Sequence, residues 1–248
     1  MIDIKNVSKT YGEKTVLFPL DLKLAAEQTH VILGSSGCGK STLFRILMGL
    51  IPASTGEVKM NGVAMNPQTQ KELVRQMGYV VQDSGLFPHL TGFDNVSLLM
   101  KTLGHSRSRI NERVEELAGL VKLDLSLFSK FPNSLSGGQK QRLGIVRALM
   151  LDPKIILLDE PLGALDPIVR ADLQNEMKRI FNTLKKTVLI ITHDLGEAAS
   201  FGHTISLFDQ GRLIQHGTFP DLAKRPATPF VTEFLNAQRP PREVLENL

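Results

Sequence analysis

Nine residues, Gly34-Ser35-Ser36-Gly37-Cys38-Gly39-Lys40-Ser41-Thr42, combine three glycines, a lysine and adjacent hydroxyls in the spacing that phosphate chemistry needs. The glycines let successive backbone N–H groups turn toward one phosphate chain, Lys40 can reach the outer phosphates, and the Ser41 hydroxyl can ligate Mg²⁺. A flexible Gly/Ser turn ahead of a helix is the plain alternative. Against it stands the full G-x-x-x-x-G-K-[ST] pattern, set between apolar Val31-Ile32-Leu33 and helix-like Leu43-Phe44-Arg45-Ile46-Leu47-Met48. The stretch reads as strand, P-loop, helix. Cys38 lies inside it near Lys40, an electropositive setting in which a reactive thiol facing the phosphates is expected.

Two other stretches carry chemistry. Ile155-Ile156-Leu157-Leu158 runs into Asp159-Glu160, and paired carboxylates at the end of an apolar strand are costly unless a cation or a reaction uses them. A chance acidic turn is the plain reading. In Leu135-Ser136-Gly137-Gly138-Gln139, Ser136 and Gln139 have capping-box spacing, whereas two glycines in a first helical turn weaken a helix. They suggest a group approaching the helix N-terminus closely, and a phosphate suits that place. His193 follows the apolar strand Val188–Ile191. A structural histidine is the commoner case, and Asp194-x-x-Glu197 is itself a capping box. Asp166 before Pro167 is equally good helix-start chemistry.

The elements that must position these groups follow from periodicity. Ile2, Ile4 and Val7, then Leu20, Leu22 and Leu24, alternate with polar residues and predict an antiparallel β layer, and Asn61-Gly62 between Glu57–Met60 and Val63–Met65 predicts a type I′ hairpin. A short helix near 70–76 leads to the strand Gly78–Val81, stopping at Gln82. From Phe93 to about Leu127, Ile110, Val114, Leu117 and Val121 recur at helical spacing, a helical insertion. Strands and helices then alternate: helix 139–151, strand 155–158, helix 167–184, strand 188–191. That order implies a parallel sheet with ligands at the carboxyl ends of its strands. A closing hairpin around Gln210-Gly211 and one short helix beyond Pro220 complete the pattern, and Pro226, Pro229, Pro240 and Pro241 break up the tail.

Composition bounds the class. The 248 residues are 42% hydrophobic, with 29 basic and 25 acidic side chains interspersed for a net charge of +4. A dedicated nucleic-acid surface is not indicated, while mild basicity suits work beside an anionic leaflet. The single cysteine fits a reducing compartment. No signal-peptide layout or apolar run of the roughly 18 residues needed to span a bilayer is present, so a cytoplasmic chain is expected.

Gly34–Thr42 together with Leu135–Gln139 resembles the nucleotide-binding subunit of ATP-binding cassette (ABC) transporters, over roughly Ile2 to Thr218. The resemblance implies a single α/β P-loop cassette over 1–248. Its parts would be a mostly parallel core sheet with an antiparallel β layer (1–92 and 152–220), a helical subdomain (about 93–151) and a tail (221–248). It implies that Ser136, Gly137, Gly138 and Gln139 grip ATP held by an opposite, head-to-tail copy. Asp159 would help hold Mg²⁺ through water, Glu160 would be the general base, and His193 would contact the γ-phosphate. Gln82 would touch Mg²⁺ and report to the membrane subunit, Tyr11 would stack on adenine, and Asp166 within Gly163-Ala164-Leu165-Asp166 would lie where the copies sense each other. Glu27-Gln28-Thr29 replaces the usual Gly-Glu turn, and Ser35 stands where proline is frequent. Neither change removes a phosphate ligand.

The implied protein is a peripheral ATPase on the cytoplasmic face of the cell membrane, with transmembrane permease subunits, a substrate-binding protein and no nucleic acid as partner. Glu160–Pro167 and Thr192–Ala198 look like importer cassettes, and Gly85–Thr91 with Gly163–Arg170 resemble importers of osmoprotectant quaternary amines such as glycine betaine or choline. Leu86, Phe87 and Leu90 then either line a groove for a permease helix or pack under the helical insertion. Many such ATPases continue into regulatory CBS domains, which 248 residues cannot also hold. DNA-repair and translation cassettes would need insertions or a second cassette that the chain lacks. A motor for lipid transport, export or uptake of another solute such as amino acids is the nearer alternative.

Overall fold

The computed structural model describes residues 1–163 and 165–238; Ala164 and the prolines at 240 and 241 lie outside them. Two sheets share the work. The first is antiparallel, in the order β2-β1-β4-β5, built from β1 (Ile2–Tyr11), β2 (Lys14–Leu24), β4 (Thr55–Met60) and β5 (Val63–Ala64). Asn61 and Gly62 both take positive φ, 49° and 85°, as the type I′ turn between β4 and β5 requires.

The second sheet runs β10-β9-β3-β8-β7-β6, from β3 (Thr29–Gly34), β6 (Met77–Val80), β7 (Ile155–Asp159), β8 (Thr187–Thr192), β9 (Thr204–Asp209) and β10 (Arg212–Gly217). Its first five strands in chain order are parallel, and β10 closes one edge antiparallel to β9. Alternation along the strands divides the core. Ile32, Leu157, Leu189 and Ile191 face the first sheet and α1 (Lys40–Leu47), which is held between the layers. Val31, Leu33, Ile156, Leu158, Val188 and Ile190 face the other way, toward the helices that follow β6 in the chain. Burial on both faces is why these strands read as unbroken apolar runs.

A short helix, α2 (Gln70–Arg75), precedes β6. The 93–127 stretch folds as α3 (Gly92–Thr102), α4 (Arg107–Leu120) and a 3₁₀ turn at Leu125–Ser129, with Gly104 at φ 79° between the two helices. Next comes α5 (Gly137–Leu149), packed on both α3 and β6, then α6 (Pro167–Leu184) and α7 (Leu195–Phe201). Two expectations shift. β6 ends at Val80, two residues short of Gln82, and the C-terminal region carries two helices, α8 (Phe219–Lys224) and α9 (Pro229–Ala237), because Pro220 and Pro229 each sit at the start of a helix, where their missing N–H costs nothing. Among the described residues no helix is long and apolar enough to cross a membrane.

Candidate active site

Because β3, β8 and β7 are neighbours in a parallel sheet, their C-terminal ends bring the loops that follow them to one edge. After β3 the chain curls through Ser35–Gly39 into α1. Gly39, at φ 100°, is the residue before the helix, and a Cβ there would lie 2.9 Å from the Val16 carbonyl oxygen, so the turn requires glycine. Lys40 is buried, its ammonium donating to the Gly34 and Ser35 carbonyls at 2.8 Å each. The helix start has no side-chain cap and no acidic residue in its first turn. Its leading N–H groups and the positive end of its dipole are therefore left for an anion, and the Ser41 hydroxyl is exposed beside them. Val16, Ser36, Gly37, Gly39, Lys40, Ser41, Thr42 and Glu160 line a cleft of about 330 Å³ at this point. The donor set fits the phosphates and divalent cation of a nucleotide.

Across the cleft, Asp159 ends β7 and Glu160 follows at φ 44°, a left-handed conformation that costs a non-glycine residue about 1–2 kcal/mol. The Glu160 N–H donates to the Ile191 carbonyl of β8 at 2.9 Å, which fixes this turn against the strand that leads to His193. His193 Nδ1 lies 3.3 Å from Glu160 Oε1; the carboxylate is 19% exposed, the imidazole 56%. Burial pushes the Asp159 carboxyl above its ordinary range, assisted by the Glu160 charge and opposed by a hydrogen bond from Tyr79 and by Lys40 and Arg45. The Tyr79 hydroxyl donates to Asp159 Oδ2 at 3.3 Å, and burial first, then Asp159, lifts its pKa to about 12. Tyr79 pairs with Leu157, and Asp159 lies two residues further on the same face. Sequence reasoning missed Tyr79, because only the β6–β7 pairing reveals the contact.

The other named residues stand apart from this cleft or enter it differently. Ser136 and Gln139 form the capping box at the start of α5, with Ser136 N–H to Gln139 Oε1 at 2.9 Å and Gln139 N–H to Ser136 Oγ at 3.3 Å. Gly137 and Gly138 are crowded from within the chain: a Cβ would meet Leu165 at 3.2 Å and Val169 at 2.9 Å, respectively. Close approach is thus real, and it is made by the chain's own start of α6. Asp166 caps α6 through the Val169 N–H at 3.0 Å. Tyr11 is exposed at the end of β1 with the Lys9 ammonium 5.0 Å over its ring, and Gln82 is exposed in the turn after β6. Neither lines the cleft.

Three readings are corrected. Cys38 is 3% exposed among the apolar residues around α1, and burial raises its thiol pKa, with Lys40 opposing. Its thiol is buried, with the Lys40 ammonium 3.8 Å from Sγ. Asp194 does accept the Glu197 N–H, at 2.9 Å, but its own N–H goes to Thr192 Oγ1 at 3.0 Å, so the box is half formed. Leu86 packs against the core, Leu90 is partly buried and Phe87 is 44% exposed, so packing accounts for Leu86 and leaves the docking reading of Phe87 as a proposal.

Residues 17–163 match the ABC transporter family, and the chain belongs to that family. Similar proteins include the choline transport ATP-binding protein OpuBA of Bacillus subtilis (strain 168), 42% identical over 96% of this chain and 63% of its own length. The glycine betaine uptake system ATP-binding protein YehX of Escherichia coli (strain K12) is 39% identical over 94% of this chain and 76% of its own length. Among solved structures, the dimeric post-hydrolysis state of the ATP-binding cassette MJ0796 bound to ADP and Pi superposes with a TM-score of 0.79 at 32% identity, covering 88% of this chain and 98% of that one. The chain spans a little under two thirds of the length of the first two curated relatives, both from Bacillus subtilis.

Proposed function

We propose that this chain is the ATP-hydrolysing motor of an ABC importer, working at the cytoplasmic face of the cell membrane. The observation that carries the reading is that Glu160 lines the same cleft as the loop residues Ser36, Gly37 and Gly39–Thr42, with His193 3.3 Å from its carboxylate and Asp159 preceding it at the end of β7. Loop amides and Lys40 would hold the phosphates, and Ser41 and Asp159 would hold Mg²⁺, with Gln82 reaching it from outside this cleft; the cation would neutralise charge on the phosphate oxygens. Glu160 takes a proton from the attacking water, and His193, within reach of Glu160 Oε1, orients it.

Glu160 lies next to His193, and Lys40, with two of its three N–H donors on the Gly34 and Ser35 carbonyls, is held at the loop where phosphate oxygens would meet it. Ser136, Gly137 and Gly138 sit outside this cleft, and we assign them to the ATP of a second copy, with Tyr11 on the adenine and Asp166 at the contact between copies. The single cassette then divides as core (1–92, 152–220), helical subdomain (93–151) and tail (221–248). Permease subunits and a substrate-binding protein complete the transporter, and names such as choline transport and glycine betaine uptake among the relatives favour quaternary-amine osmoprotectants as the solute. The test is Glu160→Gln, expected to retain ATP binding and lose roughly 10²–10⁴-fold in turnover. Near wild-type hydrolysis would overturn the assignment.

A further inference from the structure

The segment after β6 is bent in an unusual way. Asp83, Ser84 and Gly85 are consecutive left-handed residues, at φ 59°, 62° and 54°. Only the third is a glycine, and there a Cβ would fall 2.0 Å from Val81, so the turn is sharp enough to exclude any side chain. Two L-residues in this conformation persist only where the surroundings over-determine it. The restraint comes from α5. Arg147 sends its guanidinium fork into the bend, Nη1 to the Gly85 carbonyl at 2.7 Å and Nη2 to the Ser84 carbonyl at 2.8 Å. Ser84 is itself buried and rests on Gly144, one helical turn earlier on α5.

A second clamp follows directly. Asn95 of α3, 1% exposed, accepts the Phe87 N–H at 2.7 Å and donates its amide to the Phe87, Leu90 and Thr91 carbonyls at 3.0–3.1 Å. Among the described residues, the side-chain hydrogen bonds that reach 84–91 from other elements come from α3 and α5.

We infer that Arg147 is a positioning residue that fastens the Ser84–Thr91 segment, with exposed Phe87 at its crest, to the helix that begins with Ser136-Gly137-Gly138. On this assignment the segment is held to α5 as one body. The contact is planar and two-point, and a lysine could not reproduce it. The inference rests on the proposed docking of a membrane partner only for what Phe87 touches; the clamp itself needs neither partner nor nucleotide.

Hydrogen exchange followed by mass spectrometry on the full chain tests it. The Phe87 amide donates to Asn95 Oδ1 of α3 at 2.7 Å and the Leu90 amide to the Phe87 carbonyl at 3.2 Å, and so they report release of the segment from the helices. In Arg147→Lys, which keeps the charge and loses the fork, peptides covering 83–90 are expected to exchange at least about tenfold faster, while α5 and β7 stay within about twofold of wild type. Arg147→Gln is read in the same way and serves if the lysine variant is insoluble. Unchanged exchange over 83–90 overturns the inference. So does an equal rise in α5 and β7, which would make Arg147 a packing residue for the whole body. Failure of a permease to bind would strike the docking reading and leave this result standing.

Discussion

Gly37 and Gly39 lie two residues apart in the phosphate loop and differ in a way that separates torsion from contact. Both have positive φ, 79° and 100°, so alanine at either pays about 1–2 kcal/mol for the left-handed backbone. At Gly37 the added methyl meets nothing within 4 Å; at Gly39 it lies 2.9 Å from the Val16 carbonyl, a backbone atom of β2 that cannot swing aside. Relieving that overlap adds about 1–3 kcal/mol. Gly39→Ala should therefore be less stable than Gly37→Ala by about 1–3 kcal/mol in urea unfolding, with an unchanged m-value. It should also bind nucleotide more weakly, because Gly39 accepts the Leu43 N–H and begins α1. Equal urea midpoints for the two variants would refute the steric argument and place the need for glycine in torsion alone.

Two further outcomes follow from burial. Maleimide should label Cys38 at least about 100-fold more slowly in the folded chain than in urea, because the thiol must be exposed by local opening and its pKa is raised; equal rates would put the thiol on the cleft wall. His30, 2% exposed between the Ala25 carbonyl and the Thr204 hydroxyl, and the more exposed His216, whose ring is bonded to Ser206, both have pKa values lowered from 6.5, chiefly by loss of solvation. In the window below 6.5 the unfolded chain binds more protons, so the stability these groups confer is complete above pH 6.5 and is lost as pH falls toward their folded values. The urea midpoint should drop between pH 7.5 and 5.5, and His30→Gln should flatten that slope; an unchanged slope would sink the assignment to His30.

Much of the architecture was legible because each signal was local. Val31–Leu33, Ile155–Leu158 and Val188–Ile191 announce buried parallel strands, and Asn61-Gly62 announces its own turn. The P-loop is contiguous, so its place at a strand end could be read directly. What escaped depends on pairing across distance. Tyr79 meets Asp159 only because β6 pairs with β7 in one register, and Asn95 and Arg147 look like ordinary helix residues until the loop after Val80 folds back onto α3 and α5. Cys38 misled for a related reason: proximity to Lys40 in sequence says nothing about which side of the loop faces α1 and the core. The glycines at 137 and 138 were read as room for a phosphate, and sequence could not show that Leu165 and Val169 of the same chain lie against them.

The central claim, that Glu160 drives a reaction shared by two copies of this chain, is tested most directly by gel filtration of Glu160→Gln with and without Mg·ATP. With the base removed, nucleotide should bind and persist, and the variant should shift from monomer to dimer only when Mg·ATP is present. A Glu160→Gln protein that stays monomeric in saturating Mg·ATP while hydrolysing it at near wild-type rate would contradict the account.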